Sequence, residues 1–139
     1  MPEPRHPRGL IDTSVVIDLG EVDPGDLPFE IAISAVTLAE LAAGPHATGD
    51  ANERARRQDR LQRTEAAFDS LPLDSAVARA YGRVYAAVAA GGRKARGQRA
   101  FDLLVAATAL AARLPLYTRN PGDFAQLEEL IDVVGVPTS

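Results

Sequence analysis

The stretch Leu10-Ile11-Asp12-Thr13-Ser14 is a short apolar run that ends on a carboxylate and two hydroxyls, after which residues 14–19 have the pattern of a brief helix. A buried strand that ends on an acid and turns into a helix is typical of parallel α/β sheets, which bind their ligands at the carboxyl ends of the strands. Asp, Thr and Ser are also favoured at helix N-caps, so capping explains Asp12 equally well when it is taken alone. The interpretation of Asp12 therefore depends on what lies around it.

Strand-like and helix-like segments alternate along the rest of the chain. Strands are predicted at residues 8–12, 29–34, 71–73, 115–118 and 131–134. Helices are predicted from Ser34 or Thr37 to Leu41, over 50–69, from Asp74 or Ser75 to Gly91, over 101–113 and over 123–129. This alternation predicts a three-layer α/β/α sandwich with a mostly parallel central sheet. With 139 residues, the chain is expected to form one domain over 1–139.

The composition limits the chemistry that the protein can carry out. The sequence has no cysteine, so disulfides and thiolate metal sites are excluded, and hard oxygen ligands favour Mg²⁺ or Mn²⁺ over zinc. Residues 1–9 lack the apolar core of a secretory signal, and the nearly apolar run 101–112 is shorter than the roughly 20 residues that span a bilayer. We therefore expect a soluble, cytoplasmic protein that does not enter membranes.

Four acids are expected to meet at one edge of the sheet. The carboxyl ends of parallel strands and the amino ends of the following helices share that edge. Like charges at close range raise one another's pKa values, a conflict that a divalent cation removes. Mg²⁺ so held can orient an attacking water and neutralise the charge that builds up on a phosphodiester. The acids at this edge are Asp12, Glu40, Asp102 and Asp123, with Ser14, Thr118 and Asn120 beside them.

Each acid also has a simpler structural explanation. Thr37-Leu38-Ala39-Glu40 fits a capping box, in which the glutamate turns back to its own helix start. Asp102 is expected in the first turn of its helix, where acids are common, and Asp123 can cap the helix that follows it. Asp18 is interpreted as a solvated acid.

Two basic segments are candidates for nucleic-acid contact, although the net charge of −4 repels phosphate overall. The arginine series 54–63 is interpreted first as a solvated helix face, with RNA contact as the alternative. The glycine-rich loop 91–99 can clamp a phosphate backbone or be a plain flexible loop. Its cations are Arg93, Lys94, Arg96 and Arg99.

Four motifs in register resemble the PIN-domain ribonucleases of the VapC toxin type. They are Leu-Ile-Asp12-Thr-Ser, Ile-Ser-Ala-Val-Thr-Leu-Ala-Glu40-Leu, Phe-Asp102-Leu-Leu-Val-Ala-Ala-Thr-Ala and Leu-Tyr-Thr118-Arg-Asn120-Pro-Gly-Asp123-Phe. The resemblance covers essentially the whole chain and implies a PIN-like fold. It matches Asp12, Glu40 and Asp102 to the three near-universal acids of the family, and Thr118 to a hydroxyl that hydrogen-bonds within the acidic pocket. The family's fourth acid falls on Asn120 here, and Asp123 is the residue that can substitute for it.

The resemblance also implies a function. It implies an Mg²⁺- or Mn²⁺-dependent endoribonuclease toxin that hydrolyses phosphodiester bonds in structured cellular RNA and so inhibits translation. Such a toxin forms homodimers and is neutralised by a cognate VapB-type antitoxin, which supplies the DNA binding of the complex. The alternative hypothesis is a catalytically weak PIN-like scaffold that binds a partner protein or RNA without cutting it, because Asn120 stands in place of an acid. An aspartyl-phosphate phosphatase is disfavoured, since its usual second aspartate is Ser14 here.

Overall fold

The computed structural model describes residues 5–92 and 97–137, which form five strands and five helices. The strands are β1 (Arg8–Ile11), β2 (Glu30–Ser34), β3 (Asp69–Leu71), β4 (Leu116–Thr118) and β5 (Val133–Gly135). The helices are α1 (Thr13–Ile17), α2 (Ala35–Ala43), α3 (Ala51–Ala67), α4 (Ser75–Ala90) and α5 (Gln98–Ala112). Short 3-10 turns cover Leu19–Glu21, Pro24–Asp26, Gly44–Ala47 and Pro121–Leu127.

The five strands form one parallel sheet in the order β3-β2-β1-β4-β5. The first strand lies at the centre, where Leu10 pairs with Ala32 on one side and with Leu116 on the other. Since every strand runs in the same direction, the residues that follow β1, β2 and β4 all emerge at one edge. The prediction of a mostly parallel α/β sheet is confirmed.

Alternate residues of the central strands face two separate cores. Leu10 and Leu116 belong to a core closed by α4 and α5, whereas Ile11, Ile33 and Tyr117 belong to a second core with α1 and the apolar side of α3. Side chains in a strand alternate between the two faces of the sheet, so apolar residues at successive positions require cover on both faces. The helices therefore form layers on both sides of the sheet, as predicted.

Four predicted elements are displaced along the chain. The strand expected at 131–134 lies at Val133–Gly135, and the segment expected as a helix over 123–129 is the 3-10 segment Pro121–Leu127. The edge strand expected at 71–73 lies at Asp69–Leu71, because Pro72 has no N–H for the sheet. Helix α5 begins at Gln98, three residues before the predicted start, so Asp102 lies in its second turn and the first-turn placement was wrong. Within the described residues, every helix is too short or too polar to cross a membrane.

Candidate active site

A cleft of about 330 Å³ opens at the carboxyl edge of the sheet. Four separate segments of the chain contribute its walls: the β1–α1 junction, α2, the start of α5 and the turn after β4. The four predicted acids all line it, together with polar and apolar neighbours: Asp12, Thr13, Ser14, Ile17, Glu40, Gln98, Asp102, Val105, Asn120, Asp123 and Phe124. The structure therefore brings together the acids that the sequence places far apart.

Asp12 lies at the base of this cleft and is only 7% exposed. Its carboxylate caps α1 by accepting a hydrogen bond from the Val15 N–H at 3.3 Å, and it accepts a second one from the Ser14 hydroxyl. Burial raises the pKa of Asp12, an effect that hydrogen bonds from the Ser14 and Thr118 hydroxyls oppose only in part. Asp12 is thus both a helix cap and a carboxylate with an unfavourable charge.

Glu40 is held in the cleft by a chain of hydroxyl groups. The Thr13 hydroxyl donates to Glu40 Oε1 at 2.8 Å, and the Thr13 and Thr37 hydroxyl oxygens are 3.0 Å apart. Since the Thr13 hydrogen points to Glu40, Thr37 must be the donor to Thr13. Helix α2 is capped by Ser34, whose hydroxyl accepts from the Val36 N–H, so Glu40 lies in the middle of the helix. The capping-box interpretation of Glu40 was therefore wrong.

Asp102 is half-buried opposite Glu40, in the second turn of α5. The Gln98 side-chain amide links the two acids, since it donates to Glu40 Oε2 at 2.8 Å and to Asp102 Oδ1 at 3.4 Å. Burial raises the pKa of Asp102, and the negative charges of Asp12 and Glu40 raise it further. Asp102 is therefore near enough to both of the other carboxylates to be repelled by them.

The segment after β4 forms the remaining wall. Thr118 is fully buried, and its hydroxyl accepts from the Asn120 N–H at 3.0 Å. Asp123 is exposed in the first turn of the 3-10 segment Pro121–Leu127, where it does not act as the N-cap, so its predicted capping role was wrong. Its carbonyl oxygen accepts a hydrogen bond from the Arg99 guanidinium, which also donates to Gln126 Oε1 at 3.4 Å.

An ion pair ties this wall to α1. The Arg119 side chain, 8% exposed, lies 2.7 Å from the carboxylate of Asp18, and the Arg119 N–H donates to the Ser14 hydroxyl at 3.2 Å. The interpretation of Asp18 as a solvated acid was incomplete, because its side chain is 40% exposed and also pairs with this guanidinium. The two contacts hold the turn after β4 against both ends of α1, since Ser14 lies in its first turn and Asp18 is its C-cap.

Of the four cations predicted to contact RNA, only Arg99 lies within the described residues. Arg93, Lys94 and Arg96 lie outside the described residues, so their role stays a prediction. Arg99 makes hydrogen bonds to the segment that carries Asp123, and its positive charge lowers the pKa of Asp102. Within the described chain it acts on the geometry of the acidic cleft, and contact with RNA is untested.

The donor set of the cleft fits a hydrated divalent cation. Every candidate ligand among the acids and hydroxyls is a hard oxygen atom. A cation would offset both the energetic cost of the buried Asp12 charge and the repulsion that Asp12 and Glu40 exert on Asp102. In residues 5–92 and 97–137, however, no group of three acidic or histidine side chains is arranged to hold a metal ion. Mg²⁺ commonly binds through one or two carboxylates and retains several waters, a mode that does not require such a group.

Three side chains that hold the acids of the cleft in place were not predicted to have this role. Thr13 and Thr37 orient Glu40, and Gln98 bridges two acids. The hydroxyl of Thr13 was visible beside Asp12, but its partners are 24 and 27 residues away. Gln98 was hidden because the sequence around it had the pattern of a basic loop.

The family model described as "PIN domain" matches residues 9–130, and the chain therefore belongs to the PIN-domain family. Ribonuclease VapC5 of Mycobacterium tuberculosis is 37% identical over 123 residues, which cover 86% of this chain and 87% of that protein. Ribonuclease VapC8 of the same species is 38% identical over 104 residues, 73% of this chain and 89% of that protein. These identities place the chain among the VapC-type members of the family.

A solved structure agrees with this assignment. The crystal structure of VapBC-5 from Mycobacterium tuberculosis, a member of the VapBC family of toxin-antitoxin systems, superposes with a TM-score of 0.81 at 34% identity. The match covers 94% of this chain and 99% of that one. The PIN-like fold and the VapC-type resemblance predicted from the four motifs are confirmed.

Proposed function

We propose that this protein is a metal-dependent endoribonuclease toxin that hydrolyses phosphodiester bonds in structured cellular RNA and so inhibits translation. The observation that carries the proposal is the cleft in which Asp12, Glu40, Asp102 and Asp123 meet from four segments of the chain. The names of the relatives support the same reaction class, since VapC5 and VapC8 are both described as ribonucleases.

Asp12 and Asp102 are the proposed principal ligands of an Mg²⁺ or Mn²⁺ ion, with Glu40 and Asp123 as further ligands, directly or through water. When bound, such an ion acidifies and orients an attacking water and neutralises charge on the phosphodiester. The protein's own contribution is orientation. The Ser14 hydroxyl and the Val15 N–H fix the Asp12 carboxylate.

The remaining acids have separate supports. Thr13 fixes one oxygen of Glu40 and Gln98 the other. Thr118 hydrogen-bonds to Asp12 and so supports its ionised form. Arg99 holds the backbone of Asp123, whose exposed carboxylate is left to face the cleft. Side chains held in this way do not have to be ordered when the substrate binds.

The partners are part of the proposal. We propose a homodimer of one PIN-like domain over residues 1–139, located in the cytoplasm and neutralised by a VapB-type antitoxin. A basic side chain of the antitoxin would be attracted to the acidic cleft, which gives inhibition an electrostatic basis. The net charge of −4 disfavours direct DNA binding by this chain, so we propose that it meets DNA only through the antitoxin.

The test compares RNA cleavage by the free protein and by matched variants. Structured RNA is incubated with the protein and Mg²⁺ or Mn²⁺, and the cut ends are mapped. Asp12→Asn and Asp102→Asn should each lower the rate by about 10²-fold or more, because losing a direct ligand should cost at least as much as the roughly 10- to 100-fold typical of residues that only support one. Asp26→Asn, which removes an exposed acid outside the cleft, should leave the rate unchanged. Cleavage that survives EDTA and both cleft substitutions would refute the mechanism.

One observation favours a second candidate, a PIN-like scaffold that binds without cutting. Asn120 occupies the position of an acid and its side chain is not bonded to the following turn. The scaffold predicts that calorimetry detects no divalent-ion binding while a VapB-type partner still binds tightly. The nuclease predicts ion binding that Asp12→Asn abolishes.

A further inference from the structure

A second groove leaves the acidic cleft and runs between α1 and α3, and we name it the α3 groove. Its two parts have volumes of about 370 and 430 Å³ and share Ile17 and Arg60. The nearer part also shares Thr13, Ile17 and Glu40 with the acidic cleft. The α3 groove therefore continues the cleft along the helix. Its charged residues are Glu40, which it shares with the cleft, and Glu53, Arg56, Arg57, Asp59, Arg60 and Arg63.

The α3 groove is locally positive although the chain is acidic. Four arginines face three carboxylates there, those of Glu40, Glu53 and Asp59. Glu53 pairs with both Arg56 and Arg57, at 2.7 and 3.1 Å. Asp59 pairs with Arg63 at 2.9 Å. The surplus of positive charge thus lies on this side of the acidic cleft and is not balanced within the groove.

Arg60 is the arginine of the groove that takes part in none of these ion pairs. It is half-buried. Within the described part of the chain its guanidinium makes no salt bridge or hydrogen bond, although its carbonyl oxygen accepts one from the Thr64 hydroxyl. It also lies where the two parts of the groove join. Arg56, Arg60 and Arg63 stand on successive turns of α3, about 4.5 to 6 Å apart along its axis, and so form a row leading away from the acids.

We propose that the α3 groove binds the phosphate backbone of the RNA on one side of the bond that is cut, with Arg60 as the principal contact. This proposal rests on the proposed ribonuclease function. A polymer whose scissile phosphate lies among the acids must continue beyond them, and the groove is continuous with the cleft through Thr13 and Ile17. A guanidinium presents parallel N–H donors that match two phosphate oxygens, and its charge complements the phosphate.

The test measures RNA binding without cleavage. All variants are made in the full-length Asp12→Asn chain, which is the parent for comparison. The probe is a fluorescein-labelled RNA hairpin with a single-stranded loop. Its binding is measured by fluorescence anisotropy at a series of salt concentrations. Arg60→Gln should weaken binding about three- to tenfold and flatten the slope of log K against log salt by about 0.7 to 0.9, the value for one lost phosphate contact. Arg60→Lys should keep most of the slope, because it keeps the charge.

Arg79→Gln is the matched control. It removes an equally charged side chain from the exposed face of α4, outside the α3 groove, and should leave both affinity and slope near those of the parent. Thermal unfolding of each variant verifies that it is folded. The salt slope separates phosphate contact from a structural role, since a packing defect does not change the number of counterions released.

The outcomes separate this proposal from the function on which it rests. If the parent binds RNA and Arg60→Gln has an unchanged slope, or the same effect as Arg79→Gln, the groove proposal is wrong while the ribonuclease function stands. If Arg60→Gln instead weakens binding of a protein partner with an unchanged RNA slope, the groove is a protein-docking surface. If the unsubstituted protein does not cut RNA and the parent does not bind it, both proposals fail.

Discussion

Replacing Thr13 by valine should destabilise the protein much more than replacing Thr37 by valine, although the two hydroxyls contact each other. Thr37 donates to Thr13, and Thr13 donates to Glu40. Thr37 is fully buried, so its hydroxyl has no access to water. Valine has nearly the same shape as threonine, and each substitution therefore isolates the loss of a hydroxyl.

The expected magnitudes follow from which group loses its partner. Thr13→Val leaves the buried Thr37 hydroxyl without an acceptor, at a cost of about 1 to 3 kcal/mol, and also removes the donor to Glu40, for a total of about 2 to 3 kcal/mol. Thr37→Val leaves the Thr13–Glu40 hydrogen bond intact and should cost less than about 1 kcal/mol. The double variant should be more stable than Thr13→Val alone, because it contains no unpaired hydroxyl.

Urea unfolding followed by circular dichroism measures the three free energies of unfolding, and RNA cleavage measures the effect on Glu40. Thr13→Val should lower the cleavage rate, since one carboxylate oxygen of Glu40 loses its donor, whereas Thr37→Val should have little effect. Equal destabilisation by the two single variants, or a double variant less stable than Thr13→Val, would show that the hydroxyl chain does not act as described.

Three more predictions concern charged and amide side chains of the site. Burial raises the pKa of Asp12, so the folded metal-free protein binds its proton more tightly than the unfolded chain, and stability falls as pH rises from 3.8 towards the folded pKa. In EDTA at neutral pH, Asp12→Asn should therefore raise Tm, by roughly 4 °C for each kcal/mol gained, and the gain should shrink in acid. Asp18→Asn leaves the buried Arg119 charge unpaired and should cost about 2 kcal/mol or more in urea unfolding, whereas Arg119→Met should cost about 1 kcal/mol or less; equal costs would contradict this. Gln98→Ala removes the donor that fixes one oxygen of Glu40, so calorimetry should find weaker Mn²⁺ binding, and equal or tighter binding would contradict this account.

The sequence predicted the fold because apolar runs, acids and turns alternate with the spacing of a parallel sheet. The ends of individual elements were less predictable. Gly97 has a φ of 55°, a conformation that suits glycine, and α5 begins immediately after it. Gln98 and Arg99 are good helix formers, but in sequence they belong to a run of glycines and cations that indicates a loop. Helix propensity alone does not show whether Gln98 and Arg99 belong to the loop or to the first turn of α5.

The acids of the candidate site were predictable and their supports were not. Glu40 matches a capping box from Thr37, yet Ser34 caps the helix because it ends β2 and lies 3.0 Å from the Thr108 hydroxyl of α5. That contact joins residues 74 positions apart. The local sequence allows either Ser34 or Thr37 to be the N-cap, and only the packing of α5 on the sheet distinguishes the two.

The central position of β1 has a consequence for how this protein is made. Its neighbours in the sheet are β2, which follows closely in sequence, and β4, whose pairing joins Leu10 to Leu116. Contacts over so many residues form late, because a long loop must close before they are gained. During synthesis on the ribosome, Asp12 is made early, but Asn120 and Asp123 come to lie beside it only after β4 has been made and has paired with β1. The cleft is therefore absent from the growing chain, and any activity that depends on it begins only after most of the protein has been synthesised.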